Sequence, residues 1–150
     1  MGIMTIIFVL IDLVSKYIVS VSMELNARIT IIDNFLYFTY VRNTGVAFSM
    51  FPNNRYLVLI MSLLIIIGII GYVYKNRPDN NLEKVGYSLI LGGAIGNFIN
   101  RMVNGYVTDF VDTIIFNYDY PIFNLADTFI VIGVIILLIY TWRCKHGNKR

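Results

Sequence analysis

The sequence has almost nothing with which to run metal, thiol or imidazole chemistry. Its one cysteine, Cys144, lies in a basic tail, which excludes a disulfide framework and a thiolate metal cluster. Its one histidine, His146, sits close to the end of the same tail and reads as solvated surface. His-based triads and HExxH zinc sites are therefore excluded, and neither a metal nor a cofactor is expected. Charge is scarce as well. Charged residues make up 14% of the chain, against about 25% in an ordinary soluble domain, while 57% is hydrophobic and the mean hydropathy is +0.69. That balance belongs to an integral membrane protein. The net charge of +3 does not point to nucleic acid, because no basic run is interleaved with aromatics.

What the chain does have is apolar runs. Four predict membrane spans, at about residues 3–21, 56–74, 85–101 and 124–142. The first lacks a positive leading region and contains Asp12 and Lys16, so it is expected to be a retained span rather than a cleaved signal peptide. Lys75, Arg77 and Lys84 lie between the second and third runs, and Arg143, Lys145, Lys149 and Arg150 follow the fourth. With four spans these basic segments share one side, and the positive-inside rule makes that side cytoplasmic. Segments 22–55 and 102–123 then face outward. The expectation is an all-α membrane protein, a four-transmembrane-helix bundle forming one domain over residues 1–150. The first outer segment is rich in Ile, Phe, Tyr and Thr around a turn-like Asp33-Asn34, and reads as short interfacial strands, a β-platform. No oligomer signal stands out, and the glycines of the third run are expected to serve packing within a monomer.

Polar residues inside such a chain carry the functional information, since a carboxylate in a bilayer is costly. Asp12 and Lys16 are one helical turn apart and read as a structural ion pair. Asn97 and Arg101 share a face at the outer end of the third span, with Asn100 beside them. Four aspartates, Asp109, Asp112, Asp119 and Asp127, cluster beyond it. Asp109 follows the outer exit of span three and Asp127 opens the outer end of span four, so the topology brings both to one face at similar depth. Two carboxylates held close share a proton, and such a pair hydrolyses peptides without metal, serine or histidine. Topology alone leaves open which two of the four would pair. Asp119 reads as solvated loop, Asp112 as a candidate support, and Asn124 and Thr128 as groups able to orient Asp127. A carboxylate-lined cation or proton pathway and a purely structural four-helix protein remain competing readings at this point.

The same residues resemble a family pattern. "DLVSK" supplies Asp12 and Lys16, and "RNTGVAF" supplies Asn43, Gly45, Ala47 and Phe48. "GGAIGNFINR" supplies Gly93, Gly96, Asn97 and Arg101, "GYVTDFVDT" supplies Asp109 and Asp112, and "FNLADTFI" supplies Asn124, Ala126 and Asp127. In this order the five resemble the bacterial lipoprotein signal peptidases, the type II signal peptidases. The resemblance implies an aspartic endopeptidase of the cell (cytoplasmic) membrane with Asp109 and Asp127 as catalytic residues. It would remove signal peptides from prolipoproteins just before a diacylglyceryl-modified cysteine, so its partners would be those substrates and membrane lipids. The resemblance also implies support or substrate-binding roles for Asn43, Gly45, Phe48, Asn97, Arg101, Asp112 and Asn124. Beyond the four spans and the platform, it implies a short amphipathic helix in the second outer segment. Asn100 stands where many relatives carry an aspartate, and the tail before the first span is short.

Overall fold

The computed structural model describes residues 1–45 and 55–147; Ala47, Phe48, Phe51, Lys149 and Arg150 lie outside them. Each apolar run is a helix: α1 (Gly2–Ser22), α2 (Arg55–Asn76), α3 (Asn81–Asn104) and α4 (Leu125–Gly147). Gly2–Ser22, Tyr56–Asn76 and Leu125–His146 are long and apolar enough to cross a membrane, yet only 11–17% of each apolar window is covered by the rest of the protein. Leucines, isoleucines and valines left uncovered over helices of this length need lipid as their solvent. α3 is different. Its 24 residues would reach about 36 Å, but Asn97, Asn100, Arg101 and Asn104 keep it out of the apolar class. It packs against α1, α2 and α4 and so forms the centre of the bundle.

Close packing sets that centre. A Cβ on Gly86 would meet Leu137 at 2.7 Å, and one on Gly133 would meet the Gly86 carbonyl at 2.7 Å. Only small residues let the α3 and α4 backbones come this near. α3 opens at Asn80, whose side chain accepts from the Leu82 N–H, and stops at Gly105, whose φ of 83° is a conformation glycine adopts without strain.

The first outer segment forms strands, as expected: β1 (Arg28–Ile32) and β2 (Leu36–Asn43), joined by a turn in which Asn34 has a positive φ. The second outer segment departs from expectation. The amphipathic helix implied for it is absent. After α3 the chain enters β3 (Val107–Ile115) and β4 (Tyr118–Asp119), and all four strands make one antiparallel sheet in the order β1-β2-β3-β4. The reason is local composition: "VTDFVDTII" is dominated by β-branched residues that fit a pleated surface and resist helix, and β2 offers a free edge to pair with. Asp119, expected in loop, is in the two-residue β4 and exposed. Val19, Tyr40 and Phe110 pack together beneath the sheet, seating it on the C-terminal end of α1.

Candidate active site

Three local features bring the two ends of the second outer segment together. The Phe110 and Val111 N–H groups both donate to the Phe123 carbonyl, at 2.9 and 2.7 Å, and the Phe123 N–H returns to Val111 at 3.0 Å. β3 is further held at its start, where Asn100 Oδ1 accepts from the Thr108 N–H at 2.7 Å. Asn124 and Asp127 then close a reciprocal cap on α4. The Asp127 N–H donates to Asn124 Oδ1 and the Asn124 N–H donates to Asp127 Oδ2, each at 3.2 Å. This is the capping-box arrangement at the first turn of a helix, with aspartate in the place usually taken by glutamate.

The carboxylates of Asp109 and Asp127 are thereby placed on either side of Asn124, and each of their four oxygens accepts an N–H. Asn124 Nδ2 donates to Asp109 Oδ1 at 2.6 Å and Asn43 Nδ2 to Asp109 Oδ2 at 2.9 Å. Asn97 Nδ2 donates to Asp127 Oδ1 at 2.8 Å, and Oδ2 takes the Asn124 backbone N–H already described. Asp109 is 3% exposed and Asn124 fully buried. Burial pushes the Asp109 carboxyl up to about 6, the Asn43 and Asn124 hydrogen bonds hold it from going further, and the nearby Asp127 charge adds to the rise.

The pair opens onto a cavity of about 750 Å³. Asn43, Asn97, Arg101, Asp109, Asn124 and Asp127 form its polar end, and Ile65, Ile69, Ile90, Ala94, Ile130 and Val131 from α2, α3 and α4 form an apolar flank. Arg101 Nη2 donates to the Gly45 carbonyl at 3.1 Å, while its buried Nε has no hydrogen-bond partner among the described residues. Gly45 also donates its N–H to Asn43 Oδ1 at 3.0 Å.

Of the residues singled out in the sequence, Asn43, Gly45, Asn97, Arg101, Asp109, Asn124 and Asp127 are thus gathered at one place. Phe48 lies outside the described residues. Asp112 is not brought to the pair. Its carboxylate accepts from Thr39 Oγ1 at 2.5 Å and pairs with Arg28 Nε at 3.1 Å, across the sheet toward β1 and β2. A strand alternates its faces, so residues three apart point oppositely. Asp12 and Lys16 do pair, at 2.7 Å, and Lys16 also reaches Asn97. Asn100, which the sequence placed beside Asn97 and Arg101 without a role, fixes the entry to β3. The spacing Asn124-x-x-Asp127 ahead of an apolar run was a capping signal available in the sequence and not read as one.

This geometry agrees with what the chain resembles. A family model described as signal peptidase (SPase) II matches residues 4–143. The lipoprotein signal peptidase of Anoxybacillus flavithermus is 41% identical over 143 residues, covering 95% of this chain and 85% of the relative. That of Halalkalibacterium halodurans is 40% identical over 148 residues, covering 99% and 95%. A bacterial membrane enzyme solved by the in meso method at 2.3 Å resolution superposes with a TM-score of 0.89 at 36% identity, over 99% of this chain and 90% of that one. A second such enzyme, solved at 1.9 Å, gives a TM-score of 0.83 at 37% identity, over 93% and 90%. The chain belongs to the signal peptidase II family.

Proposed function

We propose that this protein is a membrane aspartic endopeptidase that removes signal peptides from prolipoproteins, cutting before a cysteine that carries a diacylglyceryl group, with Asp109 and Asp127 as its catalytic pair. The observation that carries the reading is the donor arrangement around the pair. Every carboxylate oxygen is held by an N–H, both acids touch Asn124, and both line an apolar cavity. An oxygen that accepts one N–H keeps a lone pair for a water. Two carboxylates tethered to one residue in a buried site retain a proton between them.

The chemistry follows from one charge and one proton. The ionised member of the pair takes a proton from a water between the two acids as the water oxygen attacks the scissile carbonyl carbon. The protonated member gives its proton to the carbonyl oxygen, producing a neutral tetrahedral diol. On collapse the diol returns a proton to the second acid and the first acid protonates the leaving nitrogen as the C–N bond breaks. The pair is then back in its starting state. Asn43, Asn97 and Asn124 orient the acids, and Arg101 and Gly45 flank the space a peptide backbone would occupy. The acyl chains of the substrate lie against the isoleucines of the cavity.

In the same reading α3 is a fourth span, made tolerable in lipid by the three helices around it, and residues 1–150 act as a single monomeric domain. Both termini are cytoplasmic, the membrane is the bacterial cell membrane, and the sheet and active site lie on its extracytoplasmic face in contact with lipid. The test is cleavage of a diacylglyceryl-modified prolipoprotein peptide by protein purified in detergent. Asp109→Asn and Asp127→Asn should each reduce release of the signal peptide to background while the melting transition persists. Cleavage retained in both would refute the pair.

A further inference from the structure

Lys16 lies outside the proposed chemistry and forms an ion pair with Asp12. Its surroundings assign it more. The side chain is 2% exposed, and its ammonium donates at 2.7 Å both to Asp12 Oδ2 and to Asn97 Oδ1. Gly96 leaves the room for this: a Cβ there would meet Asp12 Oδ2 at 2.4 Å.

The direction of the hydrogen bonds is what matters. A primary amide is nearly symmetric in shape, so its environment must decide which end is oxygen. An ammonium has donors only. Facing Lys16, Asn97 therefore presents Oδ1, and its Nδ2 is turned to Asp127 Oδ1 at 2.8 Å. The same Oδ1 also accepts from Asn124 Nδ2 at 3.2 Å, and that nitrogen donates to Asp109 Oδ1. Without the ammonium, nothing at that end of Asn97 requires an acceptor as strongly, and the flipped amide would point an oxygen at a carboxylate. Asn43 is fixed in the parallel way on the far side, by the Gly45 N–H on its Oδ1.

We infer that Lys16 is a positioning residue for the aspartate pair, acting through Asn97 to keep an N–H on Asp127 and supplying the positive charge that favours an ionised acid. This rests on the catalytic reading of Asp109 and Asp127. The charged and titratable groups around the pair are Asp12 and Lys16 from α1, Arg101 from α3, Asp109 from β3, Asp127 from α4 and Tyr120 beyond β4. The described residues of α2 that line the cavity, Ser62, Ile65 and Ile69, carry no charge. Lys16 is thus a cation connected to the acids by one side chain, and Asp12 offsets it only partly because its other oxygen is taken by the Ala126 N–H at 3.0 Å.

The test compares Lys16→Met, Lys16→Arg and the double variant Asp12→Asn/Lys16→Met with Asp109→Asn, using the lipidated peptide across pH. Removing a nearby cation makes a carboxylate harder to ionise. In Lys16→Met the acid limb of kcat/KM should therefore move to higher pH by about one unit or more. Its kcat at the optimum should fall about tenfold or more with KM little changed, because a preorganised donor has been lost. Lys16→Arg should restore the limb toward the wild-type position. The double variant leaves no unpaired buried charge and so keeps the fold if the single variant does not. It should still lose kcat, since Asn97 has lost its orienting donor. A wild-type limb in Lys16→Met, or a wild-type kcat in the folded double variant, would overturn the inference. Asp109→Asn separates the two failures: inactive Asp109→Asn beside unaffected Lys16 variants refutes this inference alone, whereas active Asp109→Asn refutes the catalytic reading beneath it.

Discussion

Gly93 sits where α3 and α4 come closest to the aspartate pair, and replacing it by alanine should cost activity through displacement alone. A Cβ at Gly93 would stand 2.2 Å from the Ala126 carbonyl oxygen, 2.9 Å from Ile130 Cγ1 and 3.1 Å from the Ala126 carbonyl carbon. The isoleucine can rotate away, but the carbonyl belongs to the first turn of α4 and cannot. Opening 2.2 Å to the 3.0 Å that real Cβ contacts require means moving that backbone at least 0.8 Å from α3. Asp127 is the next residue, and the amide holding it, Asn97, is on the same face of α3 one turn from Gly93. A retreat of this size stretches the 2.8 Å Asn97–Asp127 bond to about 3.6 Å, beyond a hydrogen bond. Overpacking of this kind costs about 1–3 kcal/mol of stability, and a misplacement near 1 Å costs about 10²-fold in rate. Gly93→Ala should therefore keep a cooperative melt at lower temperature and lose about two orders of magnitude in kcat. Gly68→Ala and Gly71→Ala are the controls, since a Cβ at either meets nothing within 4 Å. Both should turn over the lipidated peptide like wild type. A Gly93→Ala enzyme with wild-type kcat, or a control as damaged as Gly93→Ala, would refute the reasoning.

With the Asp109 carboxyl raised to about 6 by burial beside the charged Asp127, that proton is the one the pair shares, so kcat/KM should fall as pH rises through that region, because the pair loses its acid; a profile still flat at pH 8 (about two units higher) would contradict this. Asn124→Ala removes the donor to Asp109 and half of the α4 cap, so it should lower kcat about 10²-fold and stability by about 1 kcal/mol. Asp112→Asn should do the reverse. It loosens the tie from β3 to Arg28 and Thr39, costing about 1 kcal/mol in chemical denaturation while kcat changes little.

Much of this protein is legible in its sequence, because lipid and backbone chemistry leave few choices. Unbroken apolar runs become helices wherever the backbone must satisfy its own hydrogen bonds, and α1, α2 and α4 follow from that alone. The end of the third run and the start of the fourth are joined by one connecting segment, which makes a pairing of Asp109 with Asp127 reasonable from the sequence. The motif pattern narrowed four aspartates to those two. The tertiary structure decided what depends on contacts between distant segments. The β-branched residues of β3 disfavour helix on their own, but only the edge of β2 gave them a strand to pair with. Asp112 and Asp109 share a motif, yet the alternation of β3 and the reach of Arg28 send Asp112 to the sheet and leave Asp109 in the site. Lys16 is 81 positions from Asn97 and reads in isolation as the partner of Asp12. Only the fold shows that the same ammonium faces Asn97, and hydrogen-bond polarity then carries its influence to the acids.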